Sequence, residues 1–429
     1  MIEEQSNTVR SVAWFEVFPW LNLVRVFRLA ISVRGLVLGA VGMLLTVLCW
    51  GLIARVFCPA IFAVDSADAT HPTTWLKPVA EQPWMTMTKT LPDATVQYPF
   101  SPEAANAQSS YMQKDPVTVP WAMLTTPAWK SLSSTGFALH DAVCLILCGL
   151  TGVAIWAFFG AAICRTAAVR LAADEQMGLG AALRFACRKW PAYFAAPLLP
   201  VSVVMVVTIV ISVLGLIMKA NAGLLLAGCL WPLVLVAGFA MAVLLLGVLF
   251  GFPLMWGTIS AEGTDSFDAL SRSYAYVFQR PFRYLFYIVV AAFLGWIGWI
   301  LVWRFAEGVI WLGYWAAGWG CGDAQFKSIY VVPGEDLNVV GRFGVHVIHF
   351  FAGCVKLLAV GYMFSYFWTA SSAIYLLLRH DVDATEMDEV FLDADATEQE
   401  SDLPAIAADQ SASPVVGGES TEVTVDGPR

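Results

Sequence analysis

The sequence predicts an all-α, polytopic transmembrane bundle of about six spans, and three observations carry that expectation. Of 429 residues, 59% are hydrophobic and only 13% charged, with a mean hydropathy of +0.68, outside the usage of soluble globular domains. Six runs are long and apolar enough for a span of roughly 20 helical residues: 35–57, 138–163, 192–218, 224–259, 284–317 and 344–378. Eighteen Trp and twelve Tyr suit a chain whose span ends sit at headgroup level.

Residues 1–34 form an N-terminal amphipathic segment, with a surface helix expected from Trp14 through Pro19 to Val33. It is too long and aromatic to lead a cleaved signal peptide. After the first span comes the loop 58–137, whose ten prolines and lack of a clean period predict irregular structure with short helices, packed as a cap over the span ends. The last three runs exceed a bilayer span, so they must tilt, break or continue past it. Pro232 and Pro253 mark expected kinks in the fourth.

Arginine and lysine set the orientation. Arg10, Arg25, Arg28 and Arg34 precede the first span; Arg165, Arg170, Arg184, Arg188 and Lys189 follow the second; Arg272, Arg280 and Arg283 follow the fourth. The positive-inside rule makes these segments and both termini cytoplasmic and the 58–137 loop external.

The net charge of −9 is segregated. Residues 381–429 hold fourteen acidic side chains and one basic, which leaves 1–380 at +4. A stretch that acidic cannot bury enough apolar surface to fold alone, so the membrane domain is expected over 35–378 and a disordered cytoplasmic tail over 379–429. Within the tail, Met387, Val390 and Phe391 form one apolar knot at helical spacing, a candidate docking helix for a cytosolic protein.

Between the fourth and fifth runs lies EGTDSFDALSRSYAYVFQRPFR. Asp265 is placed to cap a helix with Asp268 in its first turn, and Phe267, Leu270, Tyr274 and Val277 make one apolar stripe. Pro281 ends it. The same design occurs 87 residues earlier, where Glu175 matches Glu262 and Ala182-Leu183 match Ala269-Leu270; there the stripe is Leu179, Leu183, Ala186 and Trp190. Both copies read as span, amphipathic surface helix, proline, span, a parallel repeat, and with the sixth span three such units could surround a pseudo-threefold axis. The lipid-headgroup candidates are Arg272, Arg280, Arg283, Arg188 and Lys189.

Carried by EQMGLGAALRFACRKWPAYF and EGTDSFDALSRSYAYVFQRPFRYLFY, the region from about 160 to 300 resembles bacterial polytopic membrane proteins related to the membrane domain attached to some glycerophosphodiester phosphodiesterases. The resemblance implies a fold and transfers no chemistry, and no segment here is long enough for the soluble phosphodiesterase domain.

Phosphate-loop, dinucleotide, zinc-protease and paired CxxC motifs are all missing from the sequence. Ionisable residues at membrane depth are the remaining candidates for chemistry: His140 and Asp141, Arg304 and Glu307, His346 and His349, and Lys356. Arg304 and Glu307 share a helical turn and are expected to pair. Arg304 and Lys356 count out to the external interface. His346-x-x-His349 does not by itself specify a metal site, and no metal, cofactor or nucleic-acid partner is expected. Cys58 and Cys321 are the two thiols expected on the oxidising side, hence a candidate disulfide; Cys144 and Cys148 are expected simply to pack. In order, the sequence favours a membrane scaffold or assembly protein, a small-molecule or lipid transporter, and a lipid enzyme embedded in the membrane.

Overall fold

The computed structural model describes residues 18–59, 62, 72–88, 114–133, 139–330 and 337–391. Residues 1–17 and the acidic stretch from 392 lie outside the described residues, as does much of the 58–137 loop. Every regular element among the described residues is helical, and six helices are long and apolar enough to cross a membrane. The chain is therefore a multi-pass, all-α membrane protein.

A 3₁₀ turn at Pro19–Leu21 leads into α1 (Asn22–Ala30). Ser32 then caps the first span, α2 (Val33–Phe57), by accepting from the Gly35 amide. Three shorter helices, α3 (Leu76–Glu81), α4 (Pro83–Thr88) and α5 (Thr118–Ser133), come from the predicted cap. They are followed by α6 (Leu139–Ala172), α7 (Leu179–Ile217) and α8 (Asn221–Glu262). The short α9 (Ser266–Gln279) separates α8 from α10 (Pro281–Gly322), and α11 (Val339–Asp383) is the sixth span. Pro232 and Pro253 both lie inside the helical run of α8.

The two predicted copies differ where each meets its proline. Pro191 lies within α7, so the expected surface helix and the span are one continuous helix. In the second copy Arg280 leaves helical geometry (φ −131°, ψ 53°) and Pro281 opens α10, where its missing N–H costs nothing. The stripes hold in part: Leu183, Trp190, Leu270 and Tyr274 pack against the core, but Leu179 and Phe267 do not. On α9 the buried positions are Ala269, Ser273, Tyr276 and Val277, while Phe267 is 71% exposed; on α7 they are Ala182, Phe185 and Ala186.

The sixth span is the centre of the bundle rather than one of three peripheral units. Every residue from Ala359 to Arg379 is buried, enclosed by α2, α6, α8 and α10 with α1 alongside. Two glycines bring α2 against it: a Cβ on Gly39 would lie 2.2 Å from the Gly361 carbonyl oxygen, and one on Gly361 would lie 2.3 Å from that of Leu36. Small residues at such crossings let backbones touch where lipid supplies no hydrophobic drive. Further along, Trp156 stacks on Phe364 (4.5 Å between centroids) and Trp256 on Trp368 (4.3 Å). The hydroxyls of Thr369, Ser371 and Ser372 bond to carbonyls one turn back, so they sit in the core satisfied.

Candidate functional site

One end of the bundle, where α6, α8 and α11 finish, concentrates the polar chemistry. Arg165 of α6 is fully buried, and a lone buried charge would be costly. Here Nη1 donates to the Ser260 carbonyl (2.8 Å), Nη2 donates to the Phe391 carbonyl (2.6 Å), and the guanidinium lies 4.3 Å from the Phe185 ring centroid. Tyr193 and Ser260 share a hydroxyl hydrogen bond of 2.7 Å beside it.

Glu262, at the end of α8, is the second centre. Its carboxylate accepts from the Tyr375 hydroxyl, pairs with Arg272 at 2.8 Å and lies 3.8 Å from Arg379 Nη1. Two arginines around one largely buried carboxylate compensate its desolvation. Burial opposes the charge on Arg272, but Glu262 and Asp268 outweigh it and hold the guanidinium's pKa above its ordinary value. Two further carboxylates from the end of α11 continue the layer: Asp381 takes Arg283 and the Tyr287 hydroxyl, each at 2.6 Å, and Asp383 takes the Tyr276 hydroxyl. Burial and then the Asp383 bond raise the Tyr276 pKa, keeping it a neutral donor; burial alone pushes Tyr274 up to about 12.

Over this layer the chain after α11 folds back. Ala384 takes a left-handed conformation (φ 52°), and Met387-Asp388 form a turn, not the expected docking helix. Arg379 Nη2 donates to the carbonyls of Glu386 (3.1 Å) and Glu389 (2.5 Å), and Asn22 Nδ2 reaches Met387 Sδ at 3.6 Å. The Phe391 amide donates to the Ala261 carbonyl (2.8 Å). Gly263, at φ +65°, lies under the Phe391 ring: a Cβ there would be 2.7 Å from it. Residues 384–391 are thus a clasp on their own bundle, beside an open cleft of about 520 Å³ lined by Glu262, Arg272, Arg379, Thr385, Glu389 and Phe391. Met387 and Val390 pack against the core, so the apolar knot read as a partner helix is occupied by its own chain. The tail expected from 379 is part of the bundle as far as Phe391.

The headgroup candidates divide. Arg272 and Arg283 are held by carboxylates, and Lys189 donates to the Gly263 carbonyl. Arg188 and Arg280 are exposed.

At the opposite end, Cys58 and Cys321 do not meet. α2 packs against α6 and α11, and the buried Cys58 Sγ lies 3.8 Å from Asp141 Oδ1 on α6. Cys321 Sγ is 3.9 Å from the Gly318 carbonyl of its own helix. Neither is bonded to another cysteine in this structure.

Arg304 and Glu307 pair at 3.5 Å as expected, with side chains 25% and 10% exposed. The structure adds Lys356 of α11, which is buried and close enough to act on the Glu307 carboxylate. His140 Nε2 lies 3.6 Å from Asp141. Among the described residues no group of three or more His, Cys, Asp or Glu could hold a metal.

Sequence reasoning passed over Arg165, Glu262, Tyr375 and Arg379 as a site, reading Arg165 as an orientation marker and Glu262 as a repeat marker. The signal present was an apolar knot that begins eight residues after the last arginine of a span. Comparison with protein-family models, curated proteins and solved structures finds no match to this chain.

Proposed function

We propose that the protein is a scaffold of the bacterial inner membrane with both termini cytoplasmic, recruiting a cytosolic partner through the acidic stretch after Phe391. The observation carrying this reading is the clasp: Arg165, Ala261 and Arg379 tie the chain to the bundle as far as Phe391, and the nine acidic residues beyond it begin at an anchored point. A centre filled by the enclosed stretch 359–379 of α11 suits a platform better than a conduit. The resemblance over 160–300 supports the fold of such a platform and names no activity. The test is a crosslinked pull-down from native membranes with the full chain and with a chain ending at Phe391. A cytosolic partner held by the first and lost from the second supports the reading; identical recoveries contradict it. Orientation is checked by impermeant thiol labelling of Ser109→Cys and Ser401→Cys in intact cells, with label expected at the first alone.

A transporter is the second reading, favoured by Arg304, Glu307 and Lys356 gathered between two spans at their expected external ends, since ionisable residues clustered on spans commonly mark ion or proton pathways. Uptake into vesicles that is abolished by Glu307→Gln would move the balance to it.

A further inference from the structure

The end of α2 meets the start of α6 in a buried patch of sulfur and carboxylate that the cytoplasmic clasp does not use. Cys58 is the residue on which α2 stops; its φ of −126° and ψ of 51° leave the helix while its amide still donates to Ala54. The side chain is 1% exposed and packs against α6, where Cys144 and Cys148 are fully buried one turn apart. Cys144 follows Asp141 by three residues on α6, on the turn that Cys58 packs against, and is near enough to act on the Cys58 thiol, as Cys148 is on Cys144. Asp141, one turn before Cys144, receives Cys58 Sγ at 3.8 Å and Thr73 Oγ1 at 3.5 Å, both on Oδ1. The Trp50 indole donates to the Cys148 carbonyl (2.8 Å) and holds the two helices in this register.

We propose that Cys58 and Cys144 are a disulfide-forming pair, oxidised as the protein folds, which staples the outer end of α2 to the outer start of α6. The proposal rests on the orientation given above, because a disulfide persists only where that end faces an oxidising compartment. The oxidant is a protein disulfide, acting before the helices close over the sulfurs. Cys58 loses its proton to water, and its thiolate attacks one sulfur of that disulfide, releasing one partner thiolate. Cys144 gives its proton to that released thiolate, attacks the Cys58 sulfur of the mixed disulfide and releases the second partner thiolate, which is protonated from water. Two thiols are oxidised and one disulfide is reduced, with no electrons left over. In the closed bundle burial, then the Cys144 neighbour, push the Cys58 thiol well above its usual pKa, so any unoxidised pair is slow to react afterwards. Cys144 takes the place of Cys321 because helix packing sets Cys58 on α6.

The experiment is non-reducing peptide mapping of full-length protein from membranes acid-quenched and alkylated under denaturing conditions. The expected product joins the Cys58 and Cys144 peptides, disappears on reduction, survives in Cys321→Ser and Cys148→Ser, and gives way to alkylated Cys144 in Cys58→Ser. Recovery of Cys58 and Cys144 as alkylated thiols, or of Cys58 joined to Cys148 or Cys321, overturns the assignment. Labelling of Ser109→Cys separates the causes: free thiols with Ser109→Cys labelled from outside defeat the pairing alone, whereas free thiols with that site protected defeat the orientation as well.

Discussion

Replacing Arg165 by Met keeps much of the volume and removes the charge. In the structure the guanidinium donates to two main-chain carbonyls, Ser260 and Phe391, at 2.8 and 2.6 Å. A hydrogen bond to a charged group contributes about 1.5–3 kcal/mol, so the substitution removes roughly 3–6 kcal/mol of bonding. Part of that returns because no charge is buried any longer, which leaves an expected loss of about 2–4 kcal/mol. The loss should fall first on the clasp, since the Phe391 carbonyl has its partner on α6 while the rest of the segment is held by α8 and α11. Hydrogen exchange followed by mass spectrometry on the peptide spanning 386–391 reads it directly. About 2 kcal/mol corresponds to roughly 30-fold faster exchange there, accompanied by a lower midpoint in a detergent melt. Unchanged protection at Phe391 together with an unchanged midpoint would refute the reasoning, because the buried guanidinium would then hold nothing.

Gly39→Ala places a methyl 2.2 Å from the Gly361 carbonyl oxygen, and backbone on backbone cannot yield cheaply, so a loss of about 1–3 kcal/mol is expected in the same melt; an unchanged midpoint would mean that α2 and α11 do not touch there. Burial pushes Tyr274 up to about 12, above the unfolded phenol near 10. Its neutral form is the one the fold favours, so its contribution is complete below pH 10 and is lost as the pH rises through about 12. The tyrosinate absorbance difference between the wild type and Tyr274→Phe should show that late transition, and a midpoint near 10 would count against the burial.

The spans were legible because lipid demands long apolar runs and little else produces them. The central place of α11 was also signalled. Along the enclosed stretch 359–379, hydroxyls such as Ser365, Thr369 and Ser372 interrupt the apolar run, which is tolerable because that part of the helix faces protein rather than lipid. The clasp was not legible. Asp381 and Asp383 look like the start of a solvated acidic run, and their partners Arg283, Tyr287 and Tyr276 lie about a hundred residues away in sequence, where no local pattern points. The same distance hid Arg165, whose bond to Phe391 crosses 226 positions. Compartment reasoning paired Cys58 with Cys321, but Cys58 packs against α6 and Cys321 lies against its own helix, because which spans touch is decided by packing.

The clasp is tested most directly by comparing two truncations in one thermal melt, chains ending at Phe391 and at His380. The first keeps Asp381, Asp383 and the Phe391 bonds and should melt with the full-length protein. The second loses the partners of Arg283, Tyr276, Tyr287 and Arg165 and should melt lower by several degrees, with faster exchange at the ends of α8 and α11. Equal midpoints for all three chains would contradict the account.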